Sequence, residues 1–386
     1  MKLALFASCA PGLEPLLERE VHAIASNATR VPGGVECTGD REAVARLLLE
    51  LGTASHLLVR FAQFRVRELA ELEAHVSRLP LTSFFKPHVP RRVRASAMGS
   101  RLYHTGAIAE RVMMAMSYRL KDKTSEPVVF DAESDKIEFV NVLVRIVEDR
   151  CTLSLDLSGP PLHRRGYRKN PYRAPLREDI AHALVRVSKW TPARPLIDPM
   201  CGSGTLVIEA ARIAMNIAPG LDREFAYSLT ALDDEGATLT RERDRLRALV
   251  RPAPSPLLGR DRDPLAIRAS LENAERAGVI DAVRFEVGTL SGTLASITAE
   301  GEEAAPRDVA YVTNPPWGER LGDPDALAPL YRALGSLVRA CPKSTLAMAA
   351  HDRKLAYQTG VAVESAFLTD LGGLKATAMV GPTKPR

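Results

Sequence analysis

The sequence predicts an α/β protein: a Rossmann-like, mostly parallel seven-stranded sheet in the C-terminal half, preceded by smaller α+β units. Three observations carry this. From about residue 175, apolar strand-like runs alternate with amphipathic helix-length segments, the rhythm of a parallel sheet with helices on both faces. A glycine-rich turn, Asp198, Pro199, Met200, Cys201, Gly202, Ser203, Gly204, Thr205, joins one such strand to an apolar helix. Asn314, Pro315, Pro316 and Trp317 follow directly on the apolar run 308–313, at what reads as the end of another strand.

In chain order, alternating Leu3 and Leu5 with a turn at Pro11 and Gly12 predict a strand at 3–8; the apolar run there is too short for a signal-peptide core. Leu13, Leu16, Leu17, Val21 and Ile24 share one face of a helix at 13–25. After the Pro32, Gly33, Gly34 turn come a strand at 34–38, a helix at 40–51 with Asp40 as N-cap, and a strand at 57–64. Strand, helix, strand, helix, strand resembles a ferredoxin-like unit. Helical spacing returns at 68–79 and 105–120, where Met113 and Met116 read as core filler. Strands at 137–147 and 151–157 then run into Ser158, Gly159, Pro160, Pro161, a predicted domain boundary.

The second half predicts helices at 176–189, 205–217, 264–277 and 325–340. Between them lie strands at 195–198, 256–260, 283–287, 308–313 and 344–350. Asp263 suits an N-cap, Pro264 the first helical position and Gly278 the terminator. Two last runs, 364–370 and 374–380, joined by Gly372 and Gly373, form a hairpin that puts an antiparallel member into the sheet. Residues 299–306 read as a loop.

Composition fits a globular chain: 386 residues, 46% hydrophobic, 26% charged, with no run approaching the ~18 apolar residues of a membrane span. Five scattered cysteines without a Cys-x-x-Cys pair predict a reduced, cytoplasmic protein without a structural metal. A monomer is expected. Charge is uneven, with 27 Lys and Arg against 21 Asp and Glu up to residue 178 and 25 against 26 after it. A mildly basic N-terminal half suits a polyanion and equally a solvated surface.

Gly202 and Gly204 let a ligand approach the backbone at a helix start. The third position of a dinucleotide fingerprint is Val207, and no Gly-Lys-Ser/Thr is present, so neither phosphate-binding motif fits. Asp198 would repel a pyrophosphate but attract the ammonium and sulfonium of S-adenosylmethionine. Asp261, ending the next strand, suits the ribose hydroxyls. At the other loop, the Asn314 side-chain oxygen and the Pro315 carbonyl can accept both hydrogens of an exocyclic amine. Trp317 can stack on its base. The pair reads as a methyltransferase that works by placing a reactive sulfonium in line with an amine, without a metal. The stretch from His163 to Arg177 holds six Lys and Arg, two tyrosines and no acid. Arg164, Arg165, Tyr167, Arg168, Lys169 and Arg173 there suit RNA phosphates and stacked bases, and equally a solvated hinge. Arg91, Arg92 and Arg94 form a smaller basic spot.

Residues Ala7 to Glu20, Leu155 to Gly159, Leu162, His163, Arg165, Gly166, Tyr167 and Arg168, Asp198 to Thr205 with Glu209, Ala210 and Ala211, and Asn314 to Leu321 resemble the RlmL family of guanine-N2 RNA methyltransferases. The Asn-Pro-Pro-aromatic motif alone is shared with DNA and protein amino-methyltransferases. The Arg-Gly-Tyr-Arg linker and Gly318, Glu319, Arg320, Leu321 are more specific. The resemblance implies a ferredoxin-like domain at 1–60, a THUMP RNA-binding domain at 61–160, a basic linker at 161–178 and a class I S-adenosylmethionine-dependent methyltransferase domain at 179–386. It further implies methylation of a guanine N2 in structured RNA, chiefly 23S rRNA, with the base flipped into the site. Met200, Cys201, Ser203, Thr205 and Thr289 join Asp198, Gly202, Gly204 and Asp261 as implied cofactor residues. Gly288 and Thr289 stand where the family usually carries an acid against the adenine, and Trp317 stands for the usual Tyr. The second methyltransferase half of some bacterial members is not expected here. A THUMP-type tRNA methyltransferase and a non-catalytic ribosome-assembly factor are the alternatives.

Overall fold

The computed structural model describes residues 2–121, 137–169, 176–293, 308–317, 327–341, 343–371 and 373–381. They divide into two compact units. One comprises residues 1–9, 17–162 and 222–245, the other 10–16, 163–221 and 246–386.

The first unit is built on strands β1 (Leu3–Cys9), β2 (Ser26–Val31), β3 (Gly34–Gly39), β4 (Ala54–Arg65), β5 (Arg91–Met98), β6 (Val140–Val147) and β7 (Arg150–Asp156). They form one sheet in the order β2-β3-β1-β4-β7-β6-β5, antiparallel throughout except for the β5–β6 pair. Helices α1 (Glu14–His22), α2 (Arg41–Glu50), α3 (Leu69–Ser77) and α4 (Thr105–Leu120) fall where the apolar spacing placed them. Asp40 caps α2 by accepting the Ala43 amide at 3.0 Å. The expected domain boundary at 60/61 falls inside β4, whose twelve residues are long enough to pair with β1 at one end and with β7 along the rest. The sheet therefore runs on without a break there.

Residues 222–245 are a second departure, because they belong to this unit and not to the one that contains the glycine-rich turn. Their backbone and polar partners explain it. The Tyr227 amide donates to Leu157 (2.9 Å), the Arg223 guanidinium donates to the Pro160 and Pro161 carbonyls (2.7 and 2.9 Å), and Arg41 donates to Leu232 (2.8 Å). The segment leads into helix α7 (Ala237–Arg247), too polar to have shown a helical stripe.

The second unit carries β8 (Leu196–Asp198), β9 (Leu257–Asp261), β10 (Val283–Val287), β11 (Ala310–Thr313), β12 (Thr345–Ala350), β13 (Glu364–Leu371) and β14 (Leu374–Gly381). Their order is β10-β9-β8-β11-β12-β14-β13, the first five parallel and the closing hairpin antiparallel, as the sequence predicted. Helices α5 (Glu178–Val187), α6 (Thr205–Ala214), α8 (Pro264–Arg276), α9 (Ala328–Ala340) and the short α10 (Arg353–Tyr357) surround it. Asp263 caps α8 by accepting the Leu265 amide at 2.9 Å, and Pro264 opens the helix. Tyr331, Leu334, Leu337 and Val338 of α9 pack on Ile197, Tyr311, Leu346, Met348 and Met379, alternate residues of four strands. Strand order reverses between β8 and β11, and ligands in open α/β sheets bind outside the carboxyl ends of strands at such a switch point.

Candidate active site

Both motifs singled out in the sequence sit at that switch point, the glycine turn after β8 and the Asn-Pro-Pro-Trp segment after β11. The turn is held from two sides. The Cys201 amide donates to the Arg260 carbonyl (2.8 Å) and the Gly202 amide to Asp261 Oδ2 (3.0 Å). From α8, Ser270 Oγ and Asn273 Nδ2 donate to the carbonyls of Gly202 (2.8 Å) and Ser203 (3.0 Å).

Gly202 and Gly204 both have positive φ, at 53° and 81°. A Cβ on Gly202 would point into open space, so its glycine leaves room for a ligand, whereas one on Gly204 would press on Phe285 and Ser270. Helix α6 begins at Thr205 with no side-chain cap. Ser203 Oγ is buried and has no hydrogen-bond partner among the described residues. Polar groups of this kind are normally satisfied, so an uncapped helix start beside an orphaned hydroxyl fits a bound polar ligand.

Asp198 is 1% exposed. Burial pushes its carboxyl up to about 7, against hydrogen bonds from Thr313 Oγ1 (2.7 Å) and the Met200 amide (3.1 Å); the nearby Asp261 pushes it further up. A cation beside it would restore the carboxylate, as the ammonium of an amino-acid moiety can. Asp261 accepts the Gly202 and Asp263 amides, one on each oxygen, and each oxygen keeps a second lone pair for a ribose hydroxyl. Thr289 is exposed and uses its hydroxyl locally, bonding Ser291 Oγ and accepting the Gly292 amide, both at 3.1 Å.

At the other loop, Asn314 Oδ1 is buried without a hydrogen-bond partner among the described residues. Pro315 is buried, and the Pro316 carbonyl accepts from Tyr331 OH of α9 (3.3 Å). The Trp317 indole donates to the Ala349 carbonyl (3.1 Å) and stacks on His351, with centroids 5.9 Å apart and planes at 20°. The predicted stacking residue is thus held by the end of β12. Neither that anchor nor the Thr313 link to Asp198 was visible in sequence, where both positions read as parts of an apolar strand. Residues 318–321 lie outside the described residues.

The basic linker divides into buried and exposed residues. Arg165 and Tyr167 are 4% and 2% exposed and are turned onto Glu209 of α6. Tyr167 OH donates to Glu209 Oε1 (3.0 Å), Arg165 pairs with the same oxygen at 3.9 Å, and His182 Nδ1 meets Oε2 at 3.2 Å. Burial pushes the Glu209 carboxyl up, but the His182 hydrogen bond with Arg165 and Arg212 holds it below the ordinary range. Arg168 donates to the Leu176 carbonyl (2.8 Å) and to Glu178 (3.2 Å). Glu209 thus holds Arg165 and Tyr167 inside the fold, while the half-buried Arg168 is turned onto Glu178. Arg164 and Lys169 are exposed, and Arg173 lies outside the described residues.

Among the described residues no group of three His, Cys, Asp or Glu suits a metal ion, and no helix is long and apolar enough to cross a membrane. Residues 165–363 match the family described as RMKL-like, methyltransferase domain, and residues 4–58 match the RlmL ferredoxin-like domain. The chain is 37% identical over 346 residues to a ribosomal RNA large subunit methyltransferase K/L of Syntrophotalea carbinolica. That match takes in 87% of this chain and 47% of the relative, so the chain spans about half the length of the curated protein. Among solved structures, a possible methylase from Clostridium difficile 630 superposes with a TM-score of 0.86 at 29% identity, over 100% of both chains. A putative methyltransferase, SMU.472, complexed with SAH, gives 0.85 at 26% identity over 100% of this chain and 99% of its own.

Proposed function

The chain belongs to the RMKL-like methyltransferase family, and from that membership we propose that it is an RNA methyltransferase acting on the exocyclic N2 of a guanine in structured RNA, 23S rRNA above all. Its methyl donor is S-adenosylmethionine, which brings a carbon already activated on a sulfonium. The glycine turn and uncapped α6 receive the donor's amino-acid end, Asp198 faces its ammonium, and Asp261 takes the ribose.

The observation that carries the substrate side is the buried, unpartnered Asn314 Oδ1, one residue beyond the Thr313 side chain that bonds Asp198. An arylamine is a weak nucleophile because its lone pair is delocalised into the ring. Asn314 Oδ1 and the Pro315 carbonyl, accepting its two hydrogens, orient that lone pair toward the methyl, while Trp317, backed by His351, holds the base flat. With the donor bound, the carbon–sulfur bond would break as the carbon–nitrogen bond forms, the amine's surplus proton passing to solvent water. Residues 61–160, read as a THUMP region, hold the RNA, with Arg94 exposed on the edge strand β5.

Asn314→Ala tests the site. Turnover should fall by roughly 100-fold or more, as when one preorganised hydrogen-bonding partner is removed elsewhere. S-adenosylmethionine affinity, read by calorimetry, should stay within about twofold. Equal loss of both would make Asn314 a structural residue. Mapping N2-methylguanosine in rRNA and tRNA from a deletion strain tests the substrate; loss confined to tRNA would overturn the rRNA assignment.

A further inference from the structure

The backbone ladder between β8 and β11 pairs Leu196 with Ala310 and Ile197 with Tyr311. Past these residues the two strands lead into different loops, as they must if a methyl donor and an acceptor base are to meet between them. Asp198 is still paired through its backbone to Gly259 on the β9 side. Toward β11 the link is made by side chains, Thr313 Oγ1 donating to Asp198 Oδ1 at 2.7 Å. Thr313 is 0% exposed and Asp198 1%, so water cannot replace the hydroxyl.

We propose that Thr313 is a positioning residue for methyl transfer: its hydroxyl holds the Asp198 carboxylate as an oriented anion toward the donor's ammonium, from the position next to Asn314. One hydrogen bond thereby sets the donor turn and the base-gripping loop together. The inference rests on the methyltransferase reading above and adds a residue to it.

The chemistry makes the role measurable. A hydrogen bond to a carboxylate favours its charged form, and this one opposes the burial that pushes Asp198 up to about 7. The titratable groups facing Asp198 are Asp261 at the end of β9 and Cys201 in the turn. Asp261 disfavours the Asp198 anion, and the Cys201 thiol is itself pushed well up by burial and by both carboxylates. Without the Thr313 hydroxyl nothing on the β11 side offsets these effects, and Asp198 should ionise only at higher pH.

Thr313→Val keeps the β-branched shape and removes the donor; Thr313→Ser keeps the donor. S-adenosylmethionine binding to the full chain is measured by calorimetry from pH 6 to 9. The ligand's own titration is common to all three proteins and cancels in the ratio of affinities. The valine variant should bind about tenfold more weakly than the native chain at pH 6.5 and within about twofold at pH 9, with serine close to native throughout. A loss by the same factor at every pH, in a variant with native thermal stability, would show a packing role and overturn the proposal. No loss at any pH would overturn it equally. A native chain that binds no S-adenosylmethionine at any pH would instead sink the methyltransferase reading, and this inference with it.

Discussion

Asp198 is held in a way that costs stability until a cation arrives. Its carboxyl is pushed up to about 7 from an ordinary value of 3.8, so the folded chain favours the protonated form. The associated stability is fully present below the unfolded value and is lost as pH rises through about 7. Asp198→Asn should therefore lose less thermal stability between about pH 4 and pH 8 than the native chain. The difference should be on the order of 2–4 kcal/mol by about pH 8, while S-adenosylmethionine affinity drops. A parallel decline of both proteins across that range would mean that Asp198 ionises freely. Trp317→Ala should raise the RNA KM by the factor that ~1 to 3 kcal/mol of lost stacking implies, with donor affinity unchanged. Asp198 and Asn314 stood out in the sequence because each belongs to a short motif at a strand end. Thr313 was not, because a threonine ending an apolar strand announces nothing until its neighbour is known. The burial of Arg165 and Tyr167 was not legible, for the converse reason: a run of arginines reads as surface unless the acid that meets it, Glu209, is seen 42 residues beyond Tyr167.

At the level of elements, the two strands that sequence reading missed in the first unit, β2 and β5, are the two edges of its sheet. Edge strands carry polar and basic residues, which blunt unwanted pairing and also erase the apolar alternation by which a strand is recognised. Strand β2, Ser-Asn-Ala-Thr-Arg-Val, has no buried residue. Helix α6 shows the opposite case, an apolar pattern that was easily read and hides the Glu209 cluster inside it. Glu209→Ala should cost ~3 to 5 kcal/mol, because Arg165 and His182 would be left buried without their carboxylate, and thermal unfolding would register it. The linker's remaining RNA contacts should be at Arg164 and Lys169. Replacing both by Ala should lower the slope of log affinity against log salt by up to about 2 with stability unchanged. An unaltered slope would make the linker a scaffold and nothing more.

For the molecule as a whole, the mostly parallel α/β sheet was readable from the alternation of strands and helices, its class I methyltransferase character from the family resemblance, and the ferredoxin-like start from its element order. The excursion of residues 222–245 into the first unit was not, because hydrogen bonds to main-chain carbonyls carry no compositional mark. It has a direct test. A fragment ending at residue 162 lacks Arg223, Tyr227 and Leu232, and should bind a hydrophobic dye and unfold without cooperativity; adding a peptide of residues 222–245 should restore a sharp transition. A well-folded fragment would mean that the segment is incidental. The order of strands in the second sheet bears on biosynthesis. β14 comes last of the seven in the chain but lies inside the sheet, between β12 and β13. A growing chain thus emerges from the ribosome with the slot between those two strands vacant, and any stall before residue 374 leaves an open edge exposed to neighbouring nascent chains. Chaperone demand should accordingly peak late in translation.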